Sequence, residues 1–517
     1  MILKPDFNRP IGIELLNQCS DKIETSDNPA EALAHVEVLK GLLNYFSPLD
    51  FPAKTFEDYE KLLIKYESKD LSKEEKEDLR GKMGQYKLQD KHYYIATIQE
   101  INDVAIANNW AIVEHNECIY LYNGSFWGRI EDQNFKLFLG QVAAKLGVPK
   151  IINNHYAFRD HLMKQFKAIQ IFATPEVDND KIHINLKDCI LQIENGVVSK
   201  IPKNKELFIT YELPYNYMPE ATCDKFQIFL NEVVPDITTQ NLLAEYVGYL
   251  FIRNGSKSIK AEKVLILFGS GCNGKSVFGE IIEALLGVFN VSAYSLQQLT
   301  TEKGTHRAEI EDKILNLGTE IGSKLDADTF KKLASGESVE AERKYKNPYI
   351  MKNYAKLIFN CNQLPKDVEH TNAYFRRFLI VTFNVEIPDE KQDKELKNKI
   401  VSTELPGILN WALSGLNRLL SQGKFTVSEE SQETLRRYKI ETDPVLMFLE
   451  ELNIVKSNDN YYTLKALFDA YNEFSSENRF KSITKQTFKG RLIANRFVVT
   501  RRSTGQVVFA KGEINFK

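Results

Sequence analysis

The stretch KVLILFGSGCNGKSVFGEIIEALLG, from Lys263 to Gly287, passes from an apolar strand-like run through a glycine-rich loop into a pattern of helical periodicity. Its middle, Gly269-Ser270-Gly271-Cys272-Asn273-Gly274-Lys275-Ser276, fits GxxxxGK[ST] in the strand-loop-helix setting that gives the motif meaning. Glycines let the backbone fold tightly enough for successive N–H groups and the helix N-terminus to converge on phosphate oxygens. In such a cradle the Lys275 ammonium reaches the β- and γ-phosphates and the Ser276 hydroxyl binds Mg2+. The loop predicts nucleotide binding, and leaves open which triphosphate is bound and what work its hydrolysis does.

On both sides of the loop, from Ala261 to about Phe383, the runs KVLILF, KILNLG, AKLIFNCN and FLIVTF alternate with helical stretches. This predicts an α/β domain with a largely parallel sheet. Two of these runs end on groups that hydrolysis needs. KILNLGTE closes on Glu320, a carboxylate placed to polarise the attacking water or to hold a metal's water shell. AKLIFNCN closes on Asn362, whose amide can orient water against the γ-phosphate. Further on, Tyr374-Phe375-Arg376-Arg377-Phe378 offers two guanidinium groups, permanently charged and planar, suited to neutralising the charge that develops on a transferred phosphoryl group. Position alone does not choose between Arg376 and Arg377.

A chain of 517 residues exceeds one core and should form about three or four domains. The sequence divides into a charged helical module (1–100), a mixed α+β domain (101–235), the α/β domain (236–425) and a C-terminal segment (429–517). Ser72-Lys73-Glu74-Glu75 fits a capping box, and Asn123-Gly124 and Asn195-Gly196 mark turns between short strands. Tyr120, Tyr122, Phe126 and Trp127 could stack on bases, but alternating aromatics in a strand usually fill a core. The C-terminal segment reads helix, helix, helix, hairpin (VLMFLEEL, LKALFDAYNEFSSEN, TKQTFKGRLIANR, FVVTRRSTGQVVFAK), a winged helix-turn-helix pattern.

Net charge is −3, from 67 basic and 70 acidic side chains, so nucleic acid would be held by local basic patches and not by bulk charge. Cys19, Cys118, Cys189, Cys223, Cys272 and Cys361 form no CxxC pair, which argues against a zinc ribbon or a disulfide framework. No run approaches the roughly 20 apolar residues of a membrane span. The first residues, MILKPDFNRPIGIELL, lack the pattern of a signal peptide, so a cytoplasmic protein is expected.

GSGCNGKS, KILNLGTE, FKKLASGESVEAERKYKNPY, AKLIFNCNQLP and FRRFLIVTF, in that order, resemble the superfamily 3 helicases, specifically the helicase half of phage and plasmid primase-helicases, a group that includes the poxvirus primase-helicase. The resemblance runs from about Ile101 to the C-terminus. YLYNGSFWGRI, ENGVV and ELPYNYMPEATCDKFQIFLNEV look like the domain before the helicase, and ETDPVLMFLEEL like the opening of the winged-helix domain. It implies a multidomain α/β chain with an AAA+-like P-loop ATPase core, a mixed α+β domain before it and a winged helix-turn-helix after it.

It further implies ATP and Mg2+ as cofactors and a ring of six subunits with ATP at each interface, completed by a neighbour's Arg376 or Arg377. A hairpin carrying Arg343, Lys344, Tyr345 and Lys346 would line the channel and track DNA. Lys485, Lys489 and Arg491 on the third helix of the C-terminal segment, with Arg501 and Arg502 in its hairpin, would add a second DNA contact. Two departures stand out: Thr319 occupies the place of a second acid before Glu320, and no paired-carboxylate strand or zinc-ligand set for primer synthesis precedes the motor. Asp178-Asn179-Asp180 and Asp326-Ala327-Asp328 read as turn and surface residues. A separate primase is therefore an expected partner. The rival readings are an ATP-switched origin-binding or loading factor, which displacement of a strand from a forked duplex would separate, and a defence or packaging ATPase on the same motor, whose partner protein a pull-down with residues 1 to 100 would show.

Overall fold

Short apolar runs that cannot face water on either side must be covered on both faces. Here the four runs around the glycine-rich loop enter one sheet between helices. The computed structural model describes residues 30–512 apart from 69–70, 109, 170–180, 272, 323–324, 366–367, 389, 391 and 504. They fall into two compact units.

The first unit takes the described residues up to Ile169 together with Ile201–Glu212. Its helices Ala30–Leu42, Asp90–Ala107, Asp132–Lys145 and Tyr156–Ile169 accompany an antiparallel sheet of β1 (Ala111–His115), β2 (Cys118–Tyr122) and β3 (Trp127–Ile130). Ile98 and Ile101 belong to the same buried cluster as Ile112, Ile119, Phe135 and Leu162. The break expected at residue 100 thus falls inside a core, because a helix with one apolar stripe must bury it against a neighbour. Tyr120 and Trp127 are buried with Phe208, and the Trp127 indole N–H donates to the Lys205 carbonyl at 2.8 Å. Phe126 is buried as well, and Tyr122 donates to the Gly124 carbonyl at 3.0 Å, so these aromatics are core and turn residues. The capping box forms: Ser72 Oγ accepts from Glu75 N at 3.2 Å and Glu75 Oε2 accepts from Ser72 N at 2.8 Å.

The second unit takes the described residues from Lys181 to Lys200 and from Leu213 onward. It opens with a small sheet of β4 (Ile182–Asn185), β5 (Ile190–Glu194) and β6 (Val197–Ile201), in which β5 and β6 are joined at Asn195-Gly196 with φ of 52° and 79°. Asp178-Asn179-Asp180 lies outside the described residues. There follow β7 (Val264–Phe268), β8 (Val291–Ser292), β9 (Leu315–Gly318), the antiparallel pair β10 (Val339–Glu342) and β11 (Pro348–Met351), β12 (Lys356–Cys361) and β13 (Phe378–Thr382). Five of them make one sheet in the order β13-β7-β12-β9-β8, each pair parallel. The chain is thus a mixed α/β multidomain protein with a parallel sheet.

Helices Ile237–Tyr249 and Leu396–Gln422 approach backbone to backbone: a Cβ on Gly415 would come within 2.2 Å of the Ala244 carbonyl carbon. Between them the fully buried Glu245 accepts from Arg418 Nε at 2.7 Å and from Thr426 N at 2.6 Å.

The C-terminal segment carries helices Glu429–Thr442, Pro444–Glu451, Leu464–Glu477 and Lys485–Ala494 with β14 (Val455–Thr463), β15 (Val499–Arg502) and β16 (Gly505–Lys511). Phe448, Leu467, Tyr471, Phe488, Leu492 and Val508 fill its core. The sheet order is β14-β16-β15, so the expected hairpin gains a third strand from the polar run VKSNDNYYT. Among the described residues, no helix is long and apolar enough to cross a membrane and no cluster of three His, Cys, Asp or Glu could hold a metal. Cys118, Cys189, Cys223 and Cys361 form no disulfide among the described residues, while Cys19 and Cys272 lie outside them.

Candidate functional site

The loop Gly269–Gly274 joins β7 to the helix Lys275–Leu286. Gly271 and Gly274 take φ of 124° and 84°, a region that side-chain-bearing residues rarely adopt. A Cβ on Gly269 would lie 2.3 Å from Asn273 Nδ2 and 2.5 Å from the Phe383 carbonyl. That crowding reflects an anchor: Asn273, itself buried, donates to the Phe383 carbonyl at 2.7 Å and so ties the loop to the end of β13. Lys275 is buried too, its ammonium donating to the Gly269 carbonyl at 2.6 Å and to Asn273 Oδ1 at 3.1 Å. Burial lowers its pKa, while nearby Cys361 acts the other way. The Cys361 thiol is pushed up to about 12, again by burial, so it is no nucleophile at neutral pH.

Lys275, Ser276, Glu320, Asn360 and Asn362 line one cleft of about 1470 Å³. Parallel pairing creates this convergence: β7, β12 and β9 run the same way, so the residues after each strand's C-terminal end share one edge. Ser276 and Glu320 are exposed to the cleft. A hydroxyl and a carboxylate are hard oxygen donors of the kind Mg2+ takes together with phosphate oxygens, so the residues present fit that ion.

Two contributors escape a reading by motif. Asn360, two residues before Asn362, has a buried Oδ1 without a hydrogen-bond partner among the described residues. Phe229 and Lys225, on the helix Asp224–Val233, form another wall of the cleft, so the boundary expected at residue 235 passes through the site. The amphipathic run KFQIFLNEV is the only signal they give. Cys272, in the loop, lies outside the described residues.

Neither Arg376 nor Arg377 lines this cleft. Both precede β13, whose Phe378 pairs with Val264 at the start of β7, whereas the loop follows the other end of β7. The two arginines differ in environment. Arg377 is buried, with Nε on the Lys331 carbonyl at 3.1 Å, Nη2 on Ser335 Oγ at 2.9 Å and Nη1 on the Ala373 carbonyl. The side chain of Arg376 is 62% exposed and donates through Nη2 to Glu262 at 3.0 Å.

The pair β10–β11 ends in a tip with Tyr345 at φ 65° and 92% exposed, and Lys344 is exposed beside it with its ammonium 5.2 Å from the Tyr345 ring. Lys346 is half-buried. Arg343 departs from the expectation: it is buried, donates to Glu311 Oε2 and the Ala308 carbonyl, and lies over the Tyr349 ring at 5.3 Å. A guanidinium paired in this way anchors the turn where β10 ends and is not presented to DNA. Arg491 likewise turns inward, its Nη1 bonded to the buried Asp443 at 2.8 Å. Lys485, Arg501 and Arg502 are exposed and Lys489 is half-buried. Arg502 lies over the cross-strand pair Tyr461 and Phe509, 4.6 and 5.1 Å from their ring centres.

Comparison with known proteins adds the following. A family described as D5 N terminal like matches residues 70–235, and a family of unknown function, DUF5906, matches residues 267–377. The helicase-like protein L207/L206 of Acanthamoeba polyphaga mimivirus is 23% identical over 298 residues, which is 54% of this chain and 30% of that protein. This chain therefore spans less than a third of the length of that relative. Apo structures of the C-terminal region of NrS-1 are also similar: one is 15% identical with a TM-score of 0.43, covering 80% of this chain and 98% of that one. A second is 13% identical with a TM-score of 0.45, covering 83% and 100%.

Proposed function

We propose that this chain, which is of the phage and viral primase-helicase type, is an ATP-dependent DNA helicase working as a ring of six copies. The observation that carries this reading is the placement of Arg376 and the glycine-rich loop at opposite ends of β7 and β13. The four steps of about 3.3 Å between the five strand residues separate those ends by about 13 Å, too far for an arginine to reach the γ-phosphate of its own subunit. An exposed guanidinium on the far edge, together with a cleft that no arginine of the described residues lines, fits a site completed by a neighbouring copy.

Within each site the loop amides and Lys275 hold the β- and γ-phosphates, Glu320 polarises the attacking water and Asn362 orients it. Ser276 and Glu320 would hold Mg2+, which when bound neutralises charge on the phosphates. The neighbour's Arg376 stabilises the charge on the transferred group, and Arg377 builds the wall from which it projects. The parallel-sheet unit is then an AAA+-like P-loop ATPase and the C-terminal segment a winged helix-turn-helix. Lys344, Tyr345 and Lys346 track the DNA backbone in the ring's channel, and Lys485, Lys489, Arg501 and Arg502 add a second contact.

A forked duplex with one labelled strand tests the proposal. Displacement that requires ATP and Mg2+, by particles that images show as six-membered rings, is the expected result. ATP-dependent DNA binding without displacement favours a loading factor, and full ATP turnover by a monomer removes the shared-site motor.

A further inference from the structure

The segment just before β7 is laced to the residues just before β13. Val264 N donates to the Arg377 carbonyl at 2.7 Å, and the Lys263 ammonium donates to the Arg376 carbonyl. Glu262 stands at φ 51°, a backbone conformation unfavourable for any residue with a Cβ outside a few short polar ones. Its side chain is only 16% exposed and accepts from Arg376 Nη2 at 3.0 Å, with Lys260 Nζ 3.1 Å from its other oxygen. Among the described residues, Nη2 carries the only hydrogen bond of the Arg376 guanidinium, so Nη1 and Nε are directed elsewhere.

We infer that Glu262 is a positioning residue for Arg376, fixing one edge of its guanidinium so that the opposite edge is presented to the triphosphate of the next subunit. The inference rests on the shared-site reading and goes beyond it by naming the group that orders the shared arginine. A long exposed side chain loses much rotamer freedom when it must meet one phosphate, and a carboxylate that restrains it beforehand removes part of that cost. The left-handed backbone at Glu262 and the clamp from Lys263 hold the carboxylate and the Arg376 backbone in one frame. As a stabilising interaction the pair would count for little, since its arginine is 62% exposed and pairs with such a partner contribute marginally to folding. Its effect should therefore appear in turnover and not in melting.

The full-length chain is assayed for DNA-stimulated ATP hydrolysis as Glu262→Ala, Glu262→Gln, Arg376→Ala and the double variant Glu262→Ala/Arg376→Ala, with a fluorescent ATP analogue to measure binding. Glu262→Ala should lower kcat about tenfold to a hundredfold, as expected of a misaligned catalytic group. KM for ATP and analogue affinity should stay within about twofold, and Glu262→Gln, which keeps an acceptor oxygen, should retain more turnover than Glu262→Ala. In the Arg376→Ala background, Glu262→Ala should cost nothing more, because a residue acting through the arginine has no effect without it. Normal turnover in Glu262→Ala alongside a fall in Arg376→Ala overturns the positioning role alone, and so do losses that multiply in the double variant. Normal turnover in Arg376→Ala removes the shared-site reading and this inference together.

Discussion

Arg377 donates Nη2 to the Ser335 hydroxyl at 2.9 Å, which binds its guanidinium to the helix Ala327–Ser335 of the same chain. Two adjacent arginines of identical chemistry are thereby given different work. Arg377→Ala removes a donor from the part-buried contacts with the Lys331 and Ala373 carbonyls and the Ser335 hydroxyl, and should lower stability by about 1–3 kcal/mol. Arg376→Ala should leave the melting temperature nearly unchanged while ATP turnover falls about a thousandfold, the usual scale for a trans-acting arginine. Thermal melts beside steady-state ATPase assays decide it; equal melting temperatures for the two variants would show that Arg377 is not the structural one.

The cradle makes a second prediction, which concerns binding. Lys275→Ala should abolish hydrolysis, because no other ammonium of the described residues sits on the Gly269 carbonyl. Gly269→Ala should act through the backbone: its Cβ meets Asn273 Nδ2 and the Phe383 carbonyl, so the anchor at 2.7 Å must open. Nucleotide affinity measured by titration of a fluorescent analogue should drop about tenfold or more in Gly269→Ala, with the melting curve still cooperative. Unchanged affinity would mean that the anchor does not shape the loop.

These features were legible in the sequence to different degrees. The loop, the parallel strands and the cleft residues Lys275, Ser276 and Glu320 follow from local pattern, since glycine spacing and apolar run length specify them within a few residues. Arg343 and Arg491 did not, because their carboxylate partners Glu311 and Asp443 lie 32 and 48 residues away in sequence. A basic residue near a basic cluster reads as surface until the fold supplies its counter-charge. β14 was hidden for a related reason: VKSNDNYYT has no apolar alternation, and only pairing with β16 makes it a strand. The contribution of Asn360 shows only once β12 is placed against the helix Lys275–Leu286, where a Cβ on Gly279 would lie 3.3 Å from its amide nitrogen.

The hairpin gives a third prediction, about DNA. Replacing Lys344 and Lys346 by Ala should weaken binding to single-stranded DNA and reduce the slope of log affinity against log salt by about 1.4, or 0.7 for each phosphate that the variant no longer neutralises. Basal ATPase should persist. Arg343→Ala should behave differently, since Glu311 at 7% exposure would lose its guanidinium and keep the Tyr349 hydroxyl as a donor. It should destabilise the hairpin by about 3 kcal/mol and impair DNA binding with no change specific to salt slope. Fluorescence anisotropy at three salt concentrations separates the two cases, and an unchanged slope in the double lysine variant would remove the hairpin tip from the DNA path.

The fourth prediction concerns pH and comes from the base of β12. Lys356 is buried, with its ammonium over the Tyr249 ring at 4.5 Å and bonded to Asn254 Oδ1, and burial brings its pKa down to about 7. In the unfolded chain the same group holds its proton to about 10.4. Between those values the unfolded state binds more protons than the folded one, so stability rises with pH through this window and is flat below it, where both states are protonated. From pH 7 to 8.5 the gain should be about 1.5 kcal/mol. Above about pH 9 the buried thiols oppose it: Cys361 and Cys223, pushed up to about 12 and about 11, stay protonated in the folded protein after the unfolded chain has lost those protons. Urea unfolding of the wild type and Lys356→Met across pH 6.5 to 8.5 isolates the lysine. The variant should be the more stable at pH 7, its advantage should shrink as pH rises, and parallel profiles would mean that Lys356 keeps its ordinary pKa in the folded protein.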